Sequence, residues 1–322
     1  MNHHSRWLFT LKNIILCAIL AAVVVRFKNN LDKLTKTTES GKILSLEEFG
    51  KIFVEKYGHY RILEESVCLM DGHCVYIADS VDQYGDRFSL IREMISGSIR
   101  ISHMGLKLPS ELTSDNLDSS RWEIDKGATA SSSYLMTMLE EAFISGALDP
   151  RQNISGTVLS IGLGAGFLNN FLHHHFPRLN ITVVELDPKL LEIAQEWYDL
   201  QTDDNHRVII ADGMAFIEKA VEKGERYDLV FLDACTLHEN AKFLCPVEAF
   251  TTTEARELLA KLVEPKGTII VNTVTVEYDI KELTKELISD FDRAFNNCIL
   301  KSSPKTNVIM TCSHRPRSSM TF

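Results

Sequence analysis

Apolar residues along this chain fall into two rhythms. Short uninterrupted runs suit strands buried on both faces: Val158-Leu-Ser-Ile161, Ile181 to Val184, Arg207-Val-Ile-Ile-Ala211, Tyr227-Asp-Leu-Val-Phe-Leu-Asp233 and Gly267-Thr-Ile-Ile-Val-Asn272. Between them apolar positions recur at helical spacing. Leu168, Phe171, Leu172 and His175 precede a stop at Pro177, and Ala255, Leu258, Leu259 and Leu262 follow a Thr251-x-x-Glu254 capping box. Lys281–Asn296 predicts another helix, and Cys298–Ser302 with Asn307–Ser313 a closing hairpin. Strands alternating with helices predict a parallel α/β sheet. Ahead of it, Tyr134, Leu135, Met138, Leu139, Ala142 and Phe143 mark an amphipathic helix ending near Gly146 and Pro150. Further upstream, Arg61–Glu65, Cys74–Ala78 and Phe88–Arg92 predict short strands, with a hairpin-type turn at Asp71-Gly72. The charged, serine-rich stretch from Ser110 to Ser120 predicts a linker.

Chemistry concentrates at the strand ends. The first strand runs into Gly162-Leu-Gly-Ala-Gly166, where glycines let the main chain turn sharply and approach a ligand without Cβ interference. The second ends at Glu185, 23 positions after Gly162, and an acid there can accept two hydrogen bonds from a ribose diol. The next two strands run into Asp212-Gly213 and Asp233, so Glu185, Asp212 and Asp233 reach one carboxyl edge, where open α/β sheets bind ligands. A dinucleotide site would want Gly-x-Gly-x-x-Gly; here Phe167 stands where the last glycine would be.

Val158–Gly166, Val183–Pro188, Ala211–Gly213, Tyr227–Asp233 and Gly267–Val274 together resemble class I S-adenosylmethionine-dependent methyltransferases. The resemblance is to the spermidine-synthase-like branch, nearest the methyltransferase-like proteins that modify elongation factor 1-alpha on lysine or at its N-terminus. Ile124-Asp125 and Ser133-Tyr134-Leu135 look like the segment preceding the first strand in those proteins. The resemblance implies a Rossmann-like, seven-stranded, mostly parallel sheet with a closing antiparallel hairpin and a small β-rich region ahead of it. It implies S-adenosyl-L-methionine as cofactor, with Gly162, Gly164 and Gly166 against its methionine and ribose and Glu185 on the ribose hydroxyls. Asp212 and the backbone at Gly213 would meet adenine, and Asp233 would sit beside the methionine amine and the reacting centre. Asp187 reads as a helix cap before Pro188. The related polyamine synthases carry an acid inside the glycine turn and another soon after the fourth-strand acid. This chain has Ala165 and Ala234-Cys235-Thr236 there, which ranks methyl transfer to a protein amine above aminopropyl transfer. A cofactor-binding scaffold without catalysis is the third reading.

Composition, 45% hydrophobic and 24% charged, is that of a folded protein. Residues 1–28 hold Arg6, Lys12, Arg26 and Lys28 and no acid; removing those four from 34 basic residues leaves 30 against 44 acidic ones, a net charge of −14. An acidic body argues against nucleic acid and suits a basic protein partner such as elongation factor 1-alpha. Leu8 to Val25 is apolar enough for an N-terminal transmembrane helix, with a signal peptide and an amphipathic helix as alternatives. Arg26, Lys28, Lys33 and Lys36 outweigh Arg6 and Lys12, which favours a cytosolic catalytic body behind a single-pass membrane anchor. The expected division is an anchor over 1–28, a β-rich region and linker over 29–120, and the cofactor-binding domain over 121–322.

The seven cysteines, at 17, 68, 74, 235, 245, 298 and 312, show no disulfide framework and no paired short spacing of a zinc site, so no metal is expected. His173-His174-His175 reads as one packing histidine, His175, beside two solvated ones. The sequons at Asn153 and Asn180 abut core strands and read as chance matches. Oligomeric state is not legible.

Overall fold

The computed structural model describes residues 41–84, 87–127, 133–149, 154–238, 240–275, 280–303 and 307–316. Leu8–Val25 and the 1–28 segment lie outside them; among the described residues no helix is long and apolar enough to cross a membrane.

The described residues open with helix α1 (Leu46–Tyr57), absent from the sequence expectation although its start carries a full capping box. The Ser45 side chain accepts from the Glu48 backbone, and the Glu48 carboxylate accepts from the Ser45 backbone. Strands β1 (Tyr60–Cys68), β2 (Cys74–Tyr84), β3 (Arg87–Ser96) and β4 (Ile99–Gly105) follow as an antiparallel sheet in the order β1-β2-β3-β4. They are longer than expected and include a strand, β4, that the sequence did not betray. Its alternation, Ile99-Arg-Ile-Ser-His-Met-Gly105, buries Ser102 and Met104 and leaves Ile99, Ile101, His103 and Gly105 exposed or half-buried, so apolar and polar residues are mixed on both faces. Phe49 and Phe53 of α1 are fully buried against this sheet together with Met94. The 110–120 stretch ends in a single 3-10 turn, Ser119–Arg121.

The second sheet has the order β10-β11-β9-β8-β5-β6-β7 among the described residues. Its strands are β5 (Gly156–Ile161), β6 (Leu179–Glu185), β7 (His206–Ile210), β8 (Tyr227–Leu232), β9 (Val263–Thr273), β10 (Asn297–Ser302) and β11 (Val308–Ser313). β5 to β9 pair in parallel, while β11 runs antiparallel to both β9 and β10. The expected mostly parallel sheet with a closing hairpin is therefore present. α2 (Tyr134–Ile144), α3 (Phe167–His175) and α4 (Pro188–Trp197) cover one face, where Met138, Leu139, Leu172 and Ile193 bury against Val158, Ile181 and Val183. α5 (Gly213–Glu222), α6 (Thr253–Leu262) and α7 (Ile280–Phe295) cover the other, with Ile217, Leu259, Leu262, Phe291 and Phe295 against Leu159, Val230 and Val271. The cap of α6 is Thr252, one residue later than expected, and its hydroxyl accepts from Ala255 N–H.

A buried ion pair within the small sheet, Asp79 on β2 opposite Arg92 on β3, anchors the side chain that reaches across to the second sheet's helices. The Arg92 guanidinium reaches Asp79 at 2.8 and 3.0 Å, with Arg92 3% exposed and Asp79 fully buried. The same guanidinium donates to the carbonyls of Trp197 at the end of α4 (3.0 Å) and Ser119 (2.9 Å). Nearby, the Trp197 indole N–H donates to Glu64 of β1 at 2.6 Å.

The cysteines correct the sequence reading. Cys68 pairs with Cys74, Cys235 with Cys245 and Cys298 with Cys312. Two of these bridge directly opposed positions, Cys68 facing Cys74 across β1 and β2 and Cys298 facing Cys312 across β10 and β11. Spacing alone hides this, because the partner is set by strand register rather than by separation along the chain. The histidine reading is corrected too. His173 is the half-buried one, 3.1 Å from Asp203 and packed on His206 with ring centroids 4.9 Å apart, whereas His174 and His175 are exposed. Asn180 is half-buried at the start of β6, accepting from Arg207 at 2.7 Å; Asn153 lies outside the described residues.

Arg92→Ala would strand Asp79 without a counter-charge in a dry junction. Urea unfolding followed by circular dichroism should show a loss of about 3–5 kcal/mol; a loss below about 1 kcal/mol would mean the pair does not hold the two sheets together.

Candidate functional site

The carboxyl ends of β5, β6 and β8 meet where the strand order reverses, and the glycine turn is fitted into that meeting point. Gly162, at φ +96°, donates its N–H to the Val184 carbonyl at 2.9 Å. A Cβ on it would lie 2.4 Å from the Asp233 carbonyl oxygen, so only glycine fits there. Asp233 N–H in turn donates to the Ile161 carbonyl at 2.9 Å. Gly164 and Gly166 also have positive φ, and Gly166 opens α3. Gly213 has a packing reason as well: a Cβ would sit 2.8 Å from the Phe250 ring.

Glu185, 6% exposed, threads this turn. One carboxylate oxygen accepts from Leu163 N–H at 2.8 Å and the other from Asp187 N–H at 2.9 Å. Burial pushes its pKa up, opposed by those backbone donors. Asp187 caps α4 by accepting from Lys189 N–H at 2.8 Å, as its position before Pro188 suggests, and it also accepts from Met70 N–H at 2.6 Å. Through that bond the β1–β2 hairpin tip is tied over the cofactor edge of the sheet. Asp212 caps α5 through Ala215 N–H at 2.9 Å.

At the centre of the site is Asp233. Asn272 Nδ2, on β9, donates to one of its carboxylate oxygens at 2.7 Å and the Tyr134 hydroxyl, at the start of α2, to the other at 3.1 Å. Asn272 is held in turn by Asn307, which donates to its Oδ1 at 2.8 Å. Burial raises the Asp233 pKa to about 6, and the Asn272 and Tyr134 hydrogen bonds pull the other way. Burial, then the Asp233 charge, pushes the Tyr134 phenol well above its ordinary value, so it stays a donor. Tyr134 was legible as either core or site; Asn272 was missed. Its signal was a lone amide at the end of an apolar strand.

These groups line one cavity of about 320 Å3. Gly162, Gly164, Glu185, Asp212, Gly213 and Asp233 all reach it; Gly166 stands behind it as the cap of α3. The sequence did not foresee two further walls, the hairpin tip Leu69–Asp71 and the loop from Ala234 to Val247. Asp233, Cys235 and Cys245 also converge within 4.8 Å, a spacing that suits a metal, but the two sulfurs are bonded to each other and have no thiolate to offer. A separate polar cleft at Lys107, Glu123 and Lys126 is charge-neutralised internally, as by Lys107 and Glu123 at 3.1 Å.

Sheet order, glycine turn and strand-end acids define an α/β methyltransferase-like fold. No protein-family model matches the sequence. The chain is similar to the eEF1A lysine and N-terminal methyltransferase homolog of Drosophila melanogaster, 28% identical over 195 residues, which are 60% of this chain and 28% of that protein. It thus spans little more than a quarter of the length of that relative. Among solved structures, human methyltransferase-like protein 13 in complex with SAH superposes with a TM-score of 0.51 at 26% identity, over 58% of this chain and 83% of that one. A spermidine synthase from Thermotoga maritima shares the fold over 79% of this chain and 73% of its own, with a TM-score of 0.51 and 16% identity. Similarity to these proteins agrees with the resemblance read from the motifs.

The Asp233 carboxyl should titrate near 6 when followed by carbon NMR of labelled protein. In Tyr134→Phe the ionised form loses a donor, so the midpoint should rise by roughly one unit. An unmoved midpoint would remove Tyr134 from the site.

Proposed function

We propose that this chain is an S-adenosylmethionine-dependent methyltransferase acting on a protein amine, a lysine or an N-terminus. The charge of the cavity carries this reading. Asp71, Glu185, Asp187, Asp212 and Asp233 line it, and among the described residues no lysine, arginine or histidine does. A cofactor bearing a sulfonium and an ammonium group suits such a lining, as does an amine drawn in as its cation. A carboxylate or phosphate acceptor would be repelled. The names of its relatives support the protein acceptor, with elongation factor 1-alpha as the proposed partner and no part for nucleic acid.

Roles follow from the geometry. Gly164 offers an open backbone cradle, Gly162 closes its base onto Asp233, Gly166 orients the helix behind it, and Glu185 presents a carboxylate edge to the ribose. Asp212 and the Gly213 backbone border the adenine end. When bound, the cofactor supplies an electrophilic methyl group. Asp233 orients the acceptor amine and takes up or relays its proton, while Tyr134 and Asn272 fix the carboxylate. Asp233 is effective only when ionised, so transfer should fail as pH falls through about 6.

Aminopropyl transfer is the second reading, favoured by the fold shared with a spermidine synthase. Against it, Ala165 is buried inside the glycine turn, and Cys235 beyond Asp233 is engaged in a disulfide, leaving no second acid there to hold a diamine. A cofactor-binding scaffold is the third. The division into 1–28, 29–120 and 121–322 is retained, with the first segment as a single-pass membrane anchor. The flanking charges and the elongation-factor acceptor favour a cytosolic body, whereas the three disulfides favour an oxidising compartment, where another basic protein would be the acceptor. In cells, full-length protein should resist carbonate extraction, and its body should be cleaved by protease added to intact vesicles if elongation factor 1-alpha is the acceptor. Protection without detergent would set that acceptor aside.

Calorimetry should show S-adenosylmethionine binding at about −8 kcal/mol, the micromolar range, and at least tenfold weaker binding by a folded Glu185→Ala variant. No binding by the folded wild-type chain would sink the enzyme reading. Labelled methyl transfer to purified elongation factor 1-alpha, beside decarboxylated cofactor with putrescine, separates the three readings.

A further inference from the structure

The loop 234–247 closes on itself beside Asp233. Thr236 N–H donates to the Leu244 carbonyl at 2.8 Å and Val247 N–H to the Ala234 carbonyl at 3.0 Å. Its base is tied to the end of β9, with Leu244 N–H on the Val274 carbonyl and Val274 N–H on the Cys245 carbonyl, both at 2.8 Å. Across the neck runs the Cys235–Cys245 disulfide, Cys245 buried and Cys235 exposed at the cavity wall. Cys235 Sγ lies 3.5 Å from Asp233 Oδ1 and 4.0 Å from Asn272 Nδ2. Bonded to Cys245, that sulfur carries no proton, so it contacts Asp233 without donating to it.

We propose that the Cys235–Cys245 disulfide is a positioning element for the acceptor side of the site. It holds the loop 234–247 as the wall against which the amine docks, and it leaves the Asp233 carboxylate to Tyr134, Asn272 and the acceptor. This rests on the methyl-transfer reading. A dithiol reductant opens the bond by giving up two electrons and two protons, becoming a disulfide itself and leaving thiols at Cys235 and Cys245. The Cys235 thiol then faces Asp233 Oδ1 as a third donor, drawing carboxylate charge away from the amine, and the loop loses its covalent closure. The cofactor half is built differently: the turn from Gly162 to Gly166 and the β6 end at Glu185 contain no cysteine. Opening the bond therefore separates acceptor use from cofactor binding, which general unfolding would not do.

Full-length protein with closed disulfides is titrated with dithiothreitol. Opened cysteines are alkylated and identified by peptide mass, so this pair is told apart from Cys68–Cys74 and Cys298–Cys312. The same samples are assayed for amide exchange, for S-adenosylmethionine affinity and for transfer to purified elongation factor 1-alpha. Opening of Cys235–Cys245 should coincide with about tenfold faster exchange over 234–247 and about tenfold higher acceptor KM, with cofactor affinity within about twofold. A Cys235→Ser/Cys245→Ser variant should match the reduced sample and show no further change with reductant while Cys68–Cys74 and Cys298–Cys312 stay closed. Unchanged exchange and KM after both cysteines are alkylated overturns the proposal, and so does a parallel loss of cofactor affinity. If transfer is absent in both states, the methyl-transfer reading falls, and exchange alone still decides whether the disulfide holds the loop.

Discussion

The site depends on one close approach: the backbone of Gly162 against the backbone of Asp233. Gly162 N–H reaches across to β6 at Val184, and Asp233 N–H reaches back to β5 at Ile161, each at 2.9 Å. The two contacts lock the ends of β5, β6 and β8 into one rigid edge. Any side chain at 162 would force the turn and the acid apart. Glu185 completes the lock from beneath by holding Leu163 and Asp187 N–H. Three carboxylates can then face one cavity because their spacing is enforced by backbone hydrogen bonds, whose geometry does not relax when like charges repel.

What the edge binds is framed by elements outside the parallel sheet. The small N-terminal sheet is held to the core by Arg92 and Trp197, and its hairpin tip comes to rest on Asp187 through Met70. The loop 234–247 frames the other side, and the rings of His73 and His238 bring the two frames together at 5.3 Å. Both frames are closed by disulfides, Cys68–Cys74 and Cys235–Cys245. On the proposed function, the cofactor meets a hydrogen-bonded sheet edge and the acceptor meets covalently closed loops.

Asp233 shows how strand-end chemistry is tuned. Burial alone pushes a carboxylate in a cavity wall toward its neutral form. The donors Tyr134 and Asn272 come from α2 and β9, elements far apart in sequence, and they hold its pKa near 6 rather than higher. The group is thus ionised at neutral pH yet close enough to its pKa to exchange a proton.

The parallel sheet, its helices, the closing hairpin and the line of strand-end acids were legible in the chain, because each is written in local periodicity and in glycines that only one backbone shape explains. Glu185, Asp212 and Asp233 could be placed at one edge because parallel strands must all end on the same side. α1 escaped although Ser45 and Glu48 spell a capping box, and β4 escaped because a strand with mixed residues on both faces leaves little periodic signal. Only the tertiary structure decided that Asn272 and Tyr134 meet on Asp233, that Gly213 is packed by Phe250, and that six cysteines pair. Each is a contact between segments that the sequence keeps far apart or sets level only through strand register. Local pattern records which face a residue points to; what it meets there is decided when the faces pack.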